Sequence, residues 1–440
     1  MKELLLIRDN LANKISYYHL ALFVISLPFD RFYSHLILAS FGIHTLLHFK
    51  KLLLKPVFTW RTLILQSIFF LAVLSTIYAP DKQLAFKEWG LYIPVLVLPI
   101  LLCINPLDLK KYGPNLMLIF SLGCAATIIY LYADALLALR YYHLPYSLIF
   151  SASYTNHNFS QTIDIHATFL SMQVGLALVF MLSQFIKEGR LISRLFHGFI
   201  CLILLMGIIQ LSSKSVFAAL FLIINFAVPL FLLEGKNRTR FILVSASISA
   251  LIVVLIAMSG TFRERYLTEL KQDFSRSKNN VDVEPRLMRW EVATGVIKQS
   301  PIIGHGAGSE IPLLKEQYFQ NKFYVSYVNG LNAHNEYLSL MIKSGIIGLC
   351  VYIITLLYGF RAAIRKKDIV FFALMTLTAV VSFSENVLDA DKGVIFFSFF
   401  FTLFIFASEQ KEKLSLPIKR HKNLRHVATK HVIVPSSLQT

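Results

Sequence analysis

Charge is scarce in this chain. Asp, Glu, Lys and Arg make up 15% of its 440 residues, against 56% hydrophobic residues, whereas a soluble globular domain is nearer a quarter charged. With a mean hydropathy of +0.61, most of the length is excluded from a water-exposed fold. Acidic residues are fewer still, 25 against 43 basic, which leaves a formal net charge of +18. Because the basic residues gather in short loops between apolar runs, they read as topology signals rather than a nucleic-acid surface. Cysteine is rare as well. Cys103, Cys124, Cys201 and Cys350 all lie within apolar runs and form no CxxC, so neither a disulfide framework nor a metal site is indicated. The runs lack the polar alternation of a membrane barrel, which excludes lipid-exposed strands. No internal repeat is visible, which weighs against the repeat-built transporter folds.

What is present are apolar runs of about 17–20 residues, each long enough to cross a hydrocarbon core as a helix. About twelve spans are expected, near 16–29, 34–49, 62–79, 89–104, 115–137, 164–186, 195–211, 215–233, 241–259, 345–360, 368–384 and 393–408. The expected fold is therefore an all-α polytopic membrane protein. The first span follows a basic start (Lys2, Arg8, Lys14) with no small-residue cleavage site, and is read as retained. Alternate loops are basic: Lys50, Lys51, Lys55 and Arg61; Lys110 and Lys111; Lys187, Arg190 and Arg194; Lys236, Arg238 and Arg240; Arg361, Arg365, Lys366 and Lys367. With twelve spans these loops share one side with both termini, which the positive-inside rule makes cytoplasmic.

Two longer connections fall on the opposite side, about 138–163 and 260–344. The second is a polar interruption with helical signals of its own. From Arg286 to Ser300 the apolar residues Leu287, Trp290, Ala293, Val296 and Ile297 share one helix face, and Ser300-Pro301 ends it. His334 to Lys343 reads as a second amphipathic helix. The expected organisation is residues 1–259 as spans one to nine, 260–344 as a partly helical periplasmic cap, 345–408 as spans ten to twelve, and 409–440 as a basic cytoplasmic tail.

Candidate chemistry concentrates at these outer edges. Arg286 and Arg289 stand one turn apart at the start of the cap helix, where guanidinium groups can grip phosphate oxygens in pairs; the plain alternative is a solvated helix face. Lys214, in Leu211-Ser-Ser-Lys-Ser215 between two apolar runs, is a cation at the outer membrane edge, suited either to binding an anion or to snorkelling. His334 can accept a proton from a hydroxyl. Glu336, two residues on, points elsewhere on a helix and is not its partner. Gly304, Gly306 and Gly308 permit a tight turn that could aim amides at an anion, but no βαβ pattern follows, so a dinucleotide fold is rejected. Asp389-Ala-Asp391 resembles a metal-binding DxD and is read as a solvated turn. His157, Asp164 and His166 offer polar or substrate contacts.

Arg286-x-x-x-Trp290, Pro301-Ile-Ile-Gly-His-Gly306, Ala333-His-Asn-Glu-Tyr-Leu338 and Gly345-Ile-Ile-Gly348 together resemble the O-antigen ligase and polymerase superfamily, in order, spacing and placement within one large loop. Ser212-Ser-Lys-Ser215 is similar to that family's Ser-Arg segment, with Lys214 replacing the usual Arg. His305 stands where an apolar residue is usual, and Glu385 to Gly393 resembles the last outer loop. The resemblance implies a GT-C-like, metal-independent, inverting glycosyltransferase without a cofactor. Its donor would be a glycan on undecaprenyl diphosphate and its acceptor a lipid A–core sugar hydroxyl, another glycan or a protein hydroxyl. Lys214 and Arg286 would hold the diphosphate and His334 would orient or deprotonate the acceptor. Arg289, Gly304, Gly306, Asn335, Glu336, His166 and Glu385 would contribute to substrate binding. A polymerase is the nearest alternative reading; a twelve-span transporter or a structural anchor is the distant one.

Overall fold

A computed structural model of the protein describes residues 6–29, 32–49, 54, 57–276 and 284–407. Lys2, Lys50, Lys51, Lys55 and the basic tail at 409–440 lie outside the described residues. No strand occurs among those described.

The apolar runs all form helices: α1 (Leu11–Ser26), α2 (Phe32–His48), α3 (Trp60–Tyr78), α4 (Lys82–Ile104), α5 (Leu109–Tyr141), α6 (Ala167–Lys187), α7 (Leu191–Leu211), α8 (Lys214–Leu232) and α9 (Gly235–Met258). After the polar segment come α10 (Arg286–Gln299), α11 (Glu310–Gln320), α12 (Glu336–Lys366), α13 (Ile369–Val381) and α14 (Asp391–Ala407). Among the described residues eight helices, α3 to α9 and α12, are long and apolar enough to cross a membrane by length and composition. The remaining four of the twelve expected spans, α1, α2, α13 and α14, are helices of 16, 17, 13 and 17 residues. The chain is a multi-pass helical membrane protein.

Side-chain caps set where several helices begin. Asp81 accepts from the amides of Gln83 and Leu84 to start α4. Asp108 does the same for α5 and Asp368 for α13, each satisfying donors that a helix start leaves unpaired. The core runs through α6 and α14, which bury nearly every side chain along their middles. Phe120 of α5 packs on Phe400 of α14 at 4.6 Å. By contrast α9 buries only Ser245 and stands at the periphery.

The polar segment folds around a second, smaller core of Ala293, Val296, Ile297, Leu314, Tyr318, Phe323, Ala333 and Ile342, contributed by α10, α11 and the start of α12. The expected helix over 286–300 is α10. The expected helix from His334 begins at Glu336 and continues into the following span as α12, bent where Gly345 takes φ +61°. A turn, Pro301 to Gly306, seats itself in that bend. His305 and Gly306 donate to Ile342 and Lys343 carbonyls at 2.8 Å, and Ile346 donates to Pro301 at 2.9 Å.

Candidate active site

Three helix N-termini converge on one small polar pocket. The residues around it include Thr168 at the start of α6, Ser213, Lys214 and Ser215 at the start of α8, and Arg286, the first residue of α10. Helix N-termini present unpaired amides and positive partial charge, so this corner is electropositive before any side chain is counted. Ser384 and Glu385, in the turn between α13 and α14, complete one wall.

Lys214, Arg286 and His334, separated by up to 120 positions in sequence, are linked by an unbroken chain of ionic contacts. Lys214 Nζ lies 3.2 Å from Asp273. Asp273 lies 3.7 Å from Arg286 Nε, and Arg286 Nη2 lies 3.5 Å from Glu385. Glu385 Oε2 lies 3.1 Å from His334 Nδ1. Burial alone would push the Glu385 carboxyl up. The His334 hydrogen bond and the charges of His334 and Arg286 outweigh burial and hold it at about 2. A carboxylate on Nδ1 makes that nitrogen the donor and leaves Nε2 as the proton-accepting end.

The backbone holds this pair in place from both sides. His334 adopts φ +47°, a left-handed conformation that costs a non-glycine residue free energy and persists only where neighbours enforce it. Its amide donates to Asn332 Oδ1 at 3.0 Å. Trp290 of α10 donates from Nε1 to the preceding Ala333 carbonyl at 2.9 Å. The next residue, Asn335, caps α12 through Tyr337 and Leu338 and donates its own amide to Asn386 Oδ1 at 2.8 Å. Asn386 adjoins Glu385, so the histidine and its carboxylate are tied by neighbouring residues.

Beneath them lies a buried ionic cluster. Lys343 Nζ is 2.6 Å from Asp389, 3.3 Å from Glu88 and 3.6 Å from Glu310. Asn386 Nδ2 donates to Asp389 and Glu310, Tyr92 donates to Asp389 at 3.2 Å and Glu88 accepts from the Gly308 amide. Burial raises Asp389, but the Lys343 charge and its hydrogen bond dominate and bring it below its ordinary value. The reading of Asp389-Ala-Asp391 as a solvated turn is thus corrected for Asp389: it belongs to an internal knot that joins α4, α11, α12 and the α13–α14 turn.

The other expected site residues divide clearly. Glu385 is in the pocket wall. His166 is the N-cap of α6, its Nδ1 accepting from Thr168 at 3.3 Å, with its ring 4.1 Å from that of His157. Burial pushes its imidazole down, against the pull of Glu385 and with the help of His157, to about 4; it is neutral with its proton on Nε2. Asn335 and Glu336 hold the fold around His334: Glu336 is fully buried and accepts from the Leu388 amide at 2.8 Å. Arg289 is buried in the polar segment, bonded through Nε to the Glu284 carbonyl at 3.2 Å, and is not among the pocket walls. Gly304 and Gly306 also stand apart from it. Their amides bond to Ser300 and Lys343 carbonyls. A side chain at Gly304 would strike the Ser344 amide at 2.4 Å, and one at Gly306 the Ala79 backbone at 2.4 Å.

Sequence reasoning missed Arg265, Glu269 and Asp273. They lie on a helical strap built from Gly260–Arg263, a π turn at Glu264–Thr268, and Glu269–Asp273. Arg265 pairs with Glu269, and Glu269 also reaches Lys214 at 3.3 Å. The signal was available as charges at i, i+4 and i+8, which share a helix face.

The helices and the pocket define a membrane protein with a small charge-lined pocket beside a carboxylate-held histidine. Residues 199–353, the stretch that contains Lys214, Arg286 and His334, match the family model for O-antigen ligase. A Haemophilus influenzae protein described as uncharacterized is 26% identical over 128 residues, 28% of this chain. The match covers 32% of that relative's length.

Proposed function

We propose that the protein is an inverting glycosyltransferase of the inner membrane, active on the periplasmic face, that moves a glycan from undecaprenyl diphosphate to a sugar hydroxyl of lipid A–core. The observation that carries this reading is the ionic chain from Lys214 through Arg286 and Glu385 to His334. It sets a cationic site for a leaving diphosphate beside a base for an incoming hydroxyl. In this reading twelve spans support a periplasmic cap over 260–344, with both termini cytoplasmic.

The chemistry follows from charge. The acceptor oxygen attacks the anomeric carbon as its proton passes to His334 Nε2, and the carbon–oxygen bond to the diphosphate breaks with its electron pair leaving on phosphate. Negative charge grows on the diphosphate, where Lys214, Arg286 and the three helix N-termini stabilise it more in the transition state than in the ground state. Glu385 orients the imidazole and offsets its developing positive charge. Diphosphate leaves without a general acid, so a second carboxylate is not required. An amphiphilic donor also suits the surroundings: Phe217, Leu220 and Phe221 of α8, just beyond Lys214, line an apolar groove of about 440 Å³ together with α7 and α9.

The test is transfer by the purified protein from a lipid-linked glycan to core acceptor. His334→Ala, Arg286→Ala and Lys214→Ala are expected to lower it by at least about 100-fold at unchanged membrane levels, and EDTA is expected to have no effect. Wild-type transfer by His334→Ala and Arg286→Ala would sink the reading, and inhibition by EDTA reversed by added metal would overturn its metal-independent part. Acceptor identity separates ligation from polymerisation. Deleting the gene should remove all polymer from core while lipid-linked polymer accumulates; a single repeat still attached to core would identify a polymerase instead.

A further inference from the structure

The diphosphate site is already full. Its walls carry three cations, Lys214, Arg265 and Arg286, and three carboxylates, Glu269, Asp273 and Glu385. Every cation is paired: Lys214 with Glu269 and Asp273, Arg265 with Glu269, Arg286 with Asp273 and Glu385. A pocket whose formal charges cancel gives little attraction for a dianion. Its volume, about 130 Å³, is below the roughly 300–1,000 Å³ usual for ligand sites.

We propose that Glu269 and Asp273 are place-holders for the diphosphate, displaced from Lys214 and Arg286 when the donor binds, and that Arg265 becomes its third cationic contact. The proposal rests on the reading of this pocket as the diphosphate site. With both strap carboxylates withdrawn, three cations face Glu385 alone, and the remaining two positive charges match the formal charge of a diphosphate diester. Glu385 stays because it is 12% exposed and bonded to His334. The carboxylate-bearing end of the strap, Glu269 to Asp273, can swing away because it is lightly held, while Arg265 stays at the start of α8 through Nε, 3.5 Å from the Ser212 carbonyl. No residue from Gly260 to Asp273 is buried, whereas elements with many buried contacts open only at a large fraction of the global stability. Besides its ion pairs it packs the Tyr266 ring against Phe217 at 5.2 Å. Ion pairs that water still reaches, as these half-buried ones are, are each worth little, which makes them exchangeable for a multiply charged ligand. The exchange also keeps the site from holding stray anions and leaves Lys214 and Arg286 paired between turnovers.

The experiment measures binding of farnesyl diphosphate to the purified full-length protein in nanodiscs by calorimetry, comparing wild type, Glu269→Gln/Asp273→Asn, Lys214→Ala and the triple combination. The double variant is expected to bind about tenfold more tightly than wild type, and Lys214→Ala should weaken binding in both backgrounds. Asp273→Asn alone, which leaves the Arg265–Glu269 pair intact, should tighten binding about threefold and serves if the double variant does not fold. Unchanged or weaker binding by the carboxylate variants, with Lys214→Ala still weakening it, would overturn the place-holder role and leave the site standing. No effect of Lys214→Ala in either background would overturn the site itself and the exchange with it.

Discussion

His334 combines a left-handed backbone with a single carboxylate partner, and both features limit what its imidazole can do. The strained φ fixes the ring's direction, and the Glu385 bond fixes its tautomer. Replacing Glu385 by Gln keeps an oxygen acceptor but removes the charge that favours the imidazolium. Transfer by Glu385→Gln is expected to fall about tenfold to 100-fold; wild-type transfer would assign Glu385 a purely structural part. Stability carries a separate signature. Because the folded carboxyl is held at about 2, below the unfolded value of about 4.3, its pairing stabilises the protein fully above that value. The contribution is lost as pH falls from there through about 2. Thermal unfolding of Glu385→Gln should therefore lose less stability across that window than the wild type. None of this pairing was legible beforehand. His334 and Glu385 lie 51 positions apart, and the glutamate nearest in sequence, Glu336, has its side chain on the Leu388 amide. Sequence spacing identifies partners along one helix, but this pair is made by packing between two segments.

At the scale of elements, the bend in α12 does the assembling. Gly345 turns the chain so that the span below and the cap above share one helix, and Pro301 to Gly306 fills the bend. A β-carbon at Gly345 would meet the Ile302 carbonyl oxygen at 2.2 Å with φ +61°, so Gly345→Ala suffers both a clash and a disfavoured backbone. We expect it to lose at least about 2 kcal/mol and to lower the unfolding temperature and membrane yield, whereas Gly295→Ala, with nothing within 4 Å of its β-carbon, should be neutral or mildly stabilising. The glycines themselves were visible in sequence as a flexible Gly304-x-Gly306-x-Gly308 turn. Their use was not: an anion nest and a tight docking turn have the same composition, and only the partners of the amides distinguish them. Helices α10 and α12 were legible because hydrophobic period and proline punctuation are local. The strap was not, because its paired charges read as an ordinary solvated helix face until Lys214 is brought alongside.

For the whole molecule, amphipathy runs from end to end. The connections that carry the pocket, α7 to α8, α13 to α14 and the cap, lie at the opposite helix ends from those rich in lysine and arginine. Lys110, Lys187, Lys366 and Lys367, from three separate connections, line one hollow. Asp368 lines the same hollow, and a gathering of four lysines is what anionic lipid on the cytoplasmic side would attract. Apolar periodicity made the helices legible, and loop charge supplied an orientation that packing alone does not encode. The orientation is therefore the claim to test. Alkaline phosphatase fused after Gly330 in the cap, or inserted after Tyr142 in the α5–α6 connection, should be active, since it folds only where disulfides form. Fusions after Gly189 and after Lys367, among the basic connections, should be inactive while their fluorescent-protein counterparts glow. The reverse pattern would put the pocket in the cytoplasm, out of reach of a periplasmic acceptor, and a mixed pattern would break the even count of spans on which the shared side of the basic loops depends.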